Sequence, residues 1–269
     1  MAEDLSGHSP DIIDSHVHLD HIRSSRPERI AWMRQNQYFP VSWAFSLAVE
    51  DAGDLKRYLA EKDRAIRELD RYQLPCRYLA GVHPRNIVPK LKPESVRDLL
   101  MPYLENDWCL GVGEIGLETG DAHEVEVLCA HLELCPEVAQ MEKVYGIHTP
   151  RRNKGEITRK ILDMLEPYQS HGGRIVVDHC MPETIGRVLA DGFWAGVTLS
   201  PVKAGPADVH KIIDRHGADA SAIMLNTDSG AEFYEDLYRF AQEPSVAAAL
   251  RDQLTRENAA RFFNLRVGH

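Results

Sequence analysis

Short apolar runs alternate with longer stretches of mixed polarity from one end of the chain to the other. Runs of this kind, rich in branched and aromatic residues, are typical of buried strands. They predict the strands Asp11–Ser15, Val41–Leu47, Arg77–Val82, Cys109–Gly113, Tyr145–His148, Arg174–Asp178, Ala195–Leu199 and Ala222–Asn226.

The segments between these runs carry apolar residues three and four positions apart, which is the spacing of an amphipathic helix. The last stretch, Val246 to Leu265, is predicted to be a closing helix. Three clear stripes are Leu55, Leu59, Ile66 and Leu69, then Ile157, Ile161, Leu165 and Tyr168, then Val209, Ile212 and Ile213.

Regular alternation of strand and helix indicates βα units that form a parallel sheet. Eight units in a chain of 269 residues favour an α/β fold, a (β/α)8 TIM barrel with a single domain over residues 11–269. The alternative is an open doubly wound sheet, which should carry a glycine-rich phosphate-binding turn after its first strand. This chain has His16-Val17-His18 at that place.

The composition, 43% hydrophobic and 27% charged, is typical of a globular protein that needs no disulfide or structural metal to fold. The five cysteines are odd in number and form no Cys-x-x-Cys pair, which suits a reducing compartment. Residues 1–10 are predicted to be a disordered or extended tail without the apolar core of a secretion signal. No apolar run approaches membrane-spanning length, so we expect a cytoplasmic protein with no membrane partner.

Histidines stand at the ends of several predicted strands. His16 and His18 are two residues apart, so on a strand both imidazoles face one side and can reach one ion. Among 13 histidines, a surface pair formed by chance is the alternative. His148 and His179 follow apolar runs at consecutive strand ends, where a lone histidine would more often be a hydrogen-bonded core residue.

Two carboxylates extend this pattern. Glu114 lies between glycines in an apolar strand, and a buried carboxylate needs a cation or several donors; a salt bridge to an Arg or Lys is the alternative. Asp228 follows the last strand, where it can bind an ion and accept a proton from water, or cap the next turn. Asp178 points away from His179 on a strand, which fits packing or the orientation of a metal-binding side chain.

In their order along the chain, these motifs resemble the TatD family of metal-dependent hydrolases, within the amidohydrolase-like barrels. The resemblance runs from about residue 11 to 265. It rests on Asp14-Ser15-His16-Val17-His18-Leu19-Asp20, Gly81-Val82-His83-Pro84, Gly113-Glu114-Ile115-Gly116-Leu117, His148, His179, Thr227-Asp228 and the closing Arg256-Glu257-Asn258-Ala259-Ala260-Arg261-Phe262-Phe263.

The resemblance implies a barrel that holds two divalent metal ions bridged by Glu114. His16, His18 and Asp228 would complete the shell of one ion, and His148 and His179 that of the other. A mixed set of imidazoles and carboxylates accepts Zn, Mn, Mg or Co in varying degree, so the metal stays open.

Four departures from the family's pattern leave the substrate open while the metal site should survive. The family commonly has Asp at the position of Glu118, Gln at that of His131, His-x-Phe-x-Gly around His179, and Pro shortly after its late Asp. The segments around His148 and Asp228 are closer to an uncharacterised branch of predicted barrel hydrolases than to the DNA-degrading members.

Loops after the strand ends build the active face of a barrel, and here they carry cations although the net charge is −10. This suggests an anionic substrate, a phosphate or a carboxylate; ordinary solvated charge is the alternative for any single residue. His83 and Glu118 are expected beside the metals, as orienting or substrate-contacting residues. The cations are Arg85, Arg151, Arg152, Lys154 and Lys203.

The predicted reaction is metal-assisted hydrolysis of an ester-type bond, most simply a phosphoester. The bridging Glu114 and the proton-accepting Asp228 are its predicted catalytic residues. The partner is a small anionic molecule or a DNA end, although the overall negative charge argues against broad DNA binding. Alternatives are a 3′-5′ DNA exonuclease of the TatD type, a small-molecule amide or lactone hydrolase, and a non-catalytic binding protein. The oligomeric state stays open.

Overall fold

A computed structural model describes residues 3–5, 10–45, 49–88 and 91–267. Its strands are β1 Glu3–Leu5, β2 Ile12–Val17, β3 Tyr38–Ser42, β4 Arg77–Ala80, β5 Cys109–Gly116, β6 Val144–His148, β7 Ile175–Val177, β8 Trp194–Thr198, β9 Ile223–Asn226 and β10 Leu265–Val267. Its α-helices are α1 Leu19–Ser25, α2 Glu28–Gln35, α3 Ala52–Tyr72, α4 Ser95–Leu104, α5 Ala122–Leu132, α6 Cys135–Gln140, α7 Lys154–Leu165, α8 Ile185–Ala190, α9 Pro206–His216, α10 Asp236–Ala241, α11 Ala248–Asp252 and α12 Asn258–Phe262.

Strands β2 to β9 form one eight-stranded parallel sheet in chain order, with helices between successive strands. The sheet closes where β2 meets the segment after β9. There the backbone N–H of Asp228 donates to the carbonyl of His16 at 2.9 Å, and that of His18 donates to Ser229 at 2.7 Å. The predicted (β/α)8 barrel is confirmed, and its closure brings β2 and the end of β9 together.

Several strands extend beyond their predicted ends. β2 continues to Val17 because Val17 still pairs with Ser42 of β3, and β5 continues to Gly116 because Gly116 pairs with His148. His16 and Glu114 therefore lie within strands. β3 begins at Tyr38, before the predicted start at Val41, and residues 46 and 47 of that prediction lie outside the described residues.

The chain termini meet in a small second sheet. β1 pairs in parallel with β10, so part of the predicted tail is a strand; residues 1, 2 and 6–9 of that tail lie outside the described residues. The predicted closing helix contains α11, a π-helical turn Gln253–Glu257 and α12, and its last residue, Leu265, belongs to β10.

Two apolar layers hold the barrel together. The larger one lies between the sheet and the helices, where the stripe of α3 is buried as predicted. The smaller one fills the barrel with Ile13, Phe39, Leu79 and Val176 and is closed at one end by Phe262 of α12. Within the ranges that the structure describes, no helix has both the length and the apolar character to cross a membrane.

Candidate metal centre

Four side chains converge at the carboxyl end of the barrel. His16 and His18 come from the end of β2, Glu114 from β5, and Asp228 from the segment after β9. One atom of each able to bind a metal lies within 4.8 Å of the others. Nε2 of His16 is 3.2 Å from Oε2 of Glu114, and Nε2 of His18 is 2.8 Å from Oδ1 of Asp228. These four residues are called the primary cluster below.

A carboxylate and an indole orient His16. Its Nδ1 lies 2.5 Å from Oδ2 of Asp178, and Trp43 stacks on the imidazole with 4.0 Å between ring centroids. Because Asp178 accepts the Nδ1 proton, Nε2 faces the cluster, where this buried nitrogen has no hydrogen-bond partner among the described residues. Gly146 permits the stacking, since a Cβ there would lie 2.5 Å from the indole.

The backbone carbonyl of Trp43 orients His18. It lies 3.2 Å from Nδ1 of His18, and because a carbonyl can only accept, Nδ1 carries the ring proton. Nε2 is therefore unprotonated, and its lone pair faces the cluster. The same carbonyl accepts from Nζ of Lys62 at 2.7 Å. That ammonium also donates to Ser42 Oγ at 2.7 Å and to Asp20 Oδ1 at 3.0 Å. Lys62, on α3, is thus a fully buried cation beneath the centre.

His148 and His179, called the secondary pair below, face the other oxygen of Glu114. His148 Nδ1 contacts Glu114 Oε1, and His179 Nε2 is 3.2 Å from the same oxygen. Each ring is held through its outer nitrogen, by Glu118 Oε2 at 3.1 Å and by Thr198 Oγ1 at 2.7 Å. Glu114 therefore divides its two oxygens between the primary cluster and the secondary pair.

His83 lies beside the same carboxylate but in a different tautomer. The backbone N–H of Arg85 donates to Nδ1 of His83 at 3.1 Å, which places the ring proton on Nε2, 3.6 Å from Glu114 Oε2. Burial lowers the pKa of His83 to about 3, so the ring is neutral at physiological pH. His83, Glu114 and His148 are close enough to hold an ion, but this tautomer makes His83 a hydrogen-bond donor to the centre.

Buried carboxylates give the centre a preference for positive charge. Burial alone would lower the pKa of His16, but Glu114 and Asp178 outweigh it and raise that pKa to about 10. Burial would raise the pKa of Glu114, yet His16 and the neighbouring histidines hold it well below its usual range. The negative potential of these carboxylates favours a divalent cation in the same way, and imidazole nitrogens and carboxylate oxygens are common ligands of such ions. His16 Nε2, which has no hydrogen-bond partner among the described residues, is a buried nitrogen that a metal ion would satisfy.

Lys203, which was expected on an exposed loop, lies close to the metal centre and is mostly buried. Its Nζ is 2.5 Å from Asp228 Oδ2 and 2.9 Å from His179 Nδ1, and its side chain is 11% exposed. Burial would raise the pKa of Asp228, but the ammonium of Lys203 outweighs it and holds that pKa well below the usual range. Asp228 is therefore ionised at neutral pH.

A cavity of about 230 Å³ opens over the centre. Arg85 and Arg151 lie in its wall; Arg85 pairs with Glu118 at 3.1 Å, whereas Arg151 is exposed. Arg152, next in the chain, does not line this cavity, and its predicted contact with substrate stays a prediction. The wall consists of His18, Phe45, His83, Arg85, Glu114, His148, Arg151, His179, Val202, Lys203, Asp228, Gly230, Ala231, Glu232 and Tyr234.

Residues 13–250 match the model of a family described as TatD-related DNase. The chain belongs to this TatD family. It is 28% identical over 179 residues to an uncharacterized metal-dependent hydrolase of Methanocaldococcus jannaschii, which covers 65% of this chain and 68% of that protein. The predicted family and the metal-dependent hydrolase class are confirmed.

A solved structure agrees with this TatD assignment, and a second one shares the fold. The TatD-like protein of Archaeoglobus fulgidus superposes with a TM-score of 0.69 and 28% identity, covering 94% of this chain and 100% of that one. A TatD homologue of Escherichia coli has a TM-score of 0.62 and 18% identity over 95% of this chain and 99% of its own. The latter likeness shows the fold alone.

Two departures from the TatD pattern now have a structural place. Glu118 accepts from His148 and so orients a member of the secondary pair. His131 is buried on α5, where its Nε2 accepts from the backbone N–H of Val82 at 3.3 Å and its Nδ1 donates to the Val127 carbonyl at 2.7 Å. His131 therefore supports the barrel wall and does not reach the metal centre.

Sequence reasoning missed two supporting residues of this TatD protein. Glu124 accepts from the backbone N–H groups of Glu118 at 2.9 Å and Gly120 at 2.7 Å, and so fixes the loop that carries Glu118. Lys62 falls between Leu59 and Ile66 on the apolar stripe of α3. A lysine on the buried face of a helix is the signal that could have revealed it, since such a charge needs buried partners.

Proposed function

We propose that this protein is a phosphoesterase that holds two divalent metal ions and hydrolyses a small anionic ester. One observation carries the proposal: the primary cluster and the secondary pair share Glu114 beneath a cavity whose wall also holds Arg85, Arg151 and Lys203. The carboxylates and imidazoles of the centre are suitable ligands for metal ions. The Arg and Lys side chains of the cavity wall are suitable partners for a phosphate.

The primary cluster would hold one ion and the secondary pair the other, with one Glu114 oxygen facing each set. Zn, Mn, Co and, less well, Mg suit such mixed donors. When bound, divalent ions at such a site lower the pKa of a water molecule and offset the charge that develops on phosphoryl oxygens.

The chain's own residues bind the substrate and move a proton. Lys203 attracts the phosphate into the cavity, and the Nε2–H of His83 donates a hydrogen bond from its wall. Water attacks phosphorus as the P–O bond to the alcohol breaks, which gives phosphate and the free alcohol. The ionised Asp228 accepts the proton that the water loses, and the alcohol oxygen takes up a proton as it leaves.

A second candidate is hydrolysis at a DNA end, which the family's description as DNase favours. The cavity of about 230 Å³ is smaller than a typical ligand pocket and admits at most the terminal part of a strand. The net charge of −10 further favours a small substrate over a polyanion.

Elemental analysis combined with an activity panel tests both steps. The wild type should carry two ions and Glu114→Gln one or none, while Glu105→Gln, an exposed residue that lies outside the cavity wall, should match the wild type. Unchanged occupancy in Glu114→Gln would remove the shared carboxylate from the proposal.

The panel compares phosphomonoesters, single-stranded DNA and lactones, each with and without a chelator. Chelator-sensitive turnover of phosphomonoesters supports the phosphoesterase. Turnover of DNA alone, falling steeply with salt, would favour the nuclease. Turnover of lactones alone would overturn the assignment of phosphorus as the atom attacked.

A further inference from the structure

We infer that the alcohol part of the substrate carries a second anionic group, which binds in a cavity beside the one over the metal centre. The inference rests on the proposed phosphoester hydrolysis and adds the chemical class of the leaving alcohol. The second cavity, called the side cavity below, has a volume of about 200 Å³. It is lined by Arg151, Lys154, His179, Met181, Glu183, Val202 and Lys203.

The side cavity adjoins the cavity over the metal centre. Both are lined by Arg151, His179, Val202 and Lys203, so these four residues form their common wall. A phosphoryl group beside Asp228 would therefore have the rest of its ester directed over Val202 toward the side cavity. Val202 is 54% exposed, an unusual position for a large apolar side chain, and would contact the carbon skeleton.

Cations outnumber carboxylates in the side cavity. Nζ of Lys154 is held in place by the His179 carbonyl at 2.8 Å and by Thr149 Oγ1 at 3.0 Å, and it still has a third proton to donate. Arg151 is exposed, and Glu183 is the one carboxylate among the described residues of this wall. Together, these cations favour a carboxylate or a second phosphate over a neutral group.

The dimensions point to a small molecule with two separated anionic groups. Each cavity, about 230 and 200 Å³, is smaller than the usual ligand pocket of roughly 300–1,000 Å³. One holds the scissile phosphate and the other the second anion. A phosphomonoester of a hydroxy acid, or a molecule with two phosphates, has this form.

The test compares two phosphate esters that differ in one charge. In 4-carboxyphenyl phosphate and 4-carbamoylphenyl phosphate the scissile bond is the same, and a carboxylate is replaced by a neutral amide of similar shape. The metal-loaded wild type should favour the carboxylate in kcat/KM. Arg151→Gln should reduce that preference roughly tenfold, mainly through KM, because a charge-assisted contact is lost.

Two further variants control this result. Arg159→Gln removes an exposed arginine of α7 that lines neither cavity, and it should leave the preference within about twofold of the wild type. Val202→Glu places a negative charge at an exposed site on the common wall. It should lower kcat/KM for the carboxylate ester more than for the amide ester.

The outcomes separate this inference from the proposed function. If the wild type hydrolyses both esters equally well, or if Arg151→Gln lowers both to the same extent, the side cavity is not an anion site and the inference is overturned. If the metal-loaded wild type hydrolyses neither ester, the phosphoesterase itself is overturned.

Discussion

The buried ammonium of Lys62 offers a sharp test of how the centre is supported. In Lys62→Met, the three hydrogen bonds to Asp20, Ser42 and the Trp43 carbonyl are lost, and the Asp20 carboxylate loses its ion pair with the Lys62 ammonium. Breaking a buried ion pair by removing one partner costs about 3–5 kcal/mol. The Asp20 side chain is 15% exposed, so water relieves part of this cost and we expect about 3 kcal/mol.

Urea unfolding of the metal-free protein measures this loss. Lys56→Met is the matched control, because Lys56 is an exposed lysine of the same helix and its loss should change stability by at most about 0.5 kcal/mol. Adding Asp20→Asn to Lys62→Met removes the uncompensated charge, so the double variant should be less unstable than the two single losses added together. A Lys62→Met variant within about 0.5 kcal/mol of the wild type would refute the reasoning.

The same substitution should weaken the metal site, because the Trp43 carbonyl that orients His18 loses one of its donors. Loss of such an outer partner typically costs about 10–100-fold in metal affinity. The ion pair of Lys62 and Asp20 also makes the stability depend on pH, because Lys62 outweighs burial and lowers the pKa of Asp20. The stabilisation from this pair is present above the unfolded pKa of Asp, about 3.9, and is lost as the pH falls through the lower pKa of the folded state. Lys62→Met should therefore reduce the loss of stability in acid.

Two further predictions concern the walls of the centre. The hydrogen bond from His148 outweighs partial burial and lowers the pKa of Glu118 to about 2. After allowance for solvent screening, the ionised Glu118 carboxylate then stabilises the fold by about 1 kcal/mol. This contribution is present above about pH 4.3, the unfolded pKa of Glu, and is lost toward pH 2. Metal-free Glu118→Gln should lack this loss in urea titrations between pH 5 and 2.5, and an unchanged acid profile would contradict it. Gly146→Ala should lower the free energy of unfolding by about 1–3 kcal/mol, because the new Cβ would clash with the Trp43 indole. Gly155→Ala is the control, since open space surrounds that position. Equal melting temperatures of the two variants would disprove the close contact between Gly146 and Trp43.

The sequence predicted the fold because strand and helix periodicities are local. It also placed the main members of the site, since side chains at the carboxyl ends of parallel strands must meet at one face of a barrel. That rule brings His16, Glu114 and Asp228 to one face, whereas their grouping around two ions came from the resemblance to the TatD family. Strand ends were less accurate, because pairing with a neighbour such as β3 extends a strand beyond its own apolar run.

The supporting contacts could not be predicted in the same way. Lys62 meets Asp20 across 42 positions of sequence, and only the closed structure shows which buried acceptor a helical lysine finds. Arg151 and Arg152 are neighbours of the same type, yet only Arg151 lines both cavities. Local pattern cannot choose between them, because the direction of a loop side chain depends on contacts distant in sequence.

Metal binding where the barrel closes, between β2 and the segment after β9, also depends on the folding of the chain. Because His18 and Asp228 are separated by 210 positions, both can bind one ion only after β9 has docked against β2. A divalent ion at one hundred times its dissociation constant would then favour the native state by about 2.7 kcal/mol, acting as a clasp between the two ends of the chain. A protein truncated before β9 should therefore lose this linkage between ion concentration and melting temperature, even where its remaining strands stay paired.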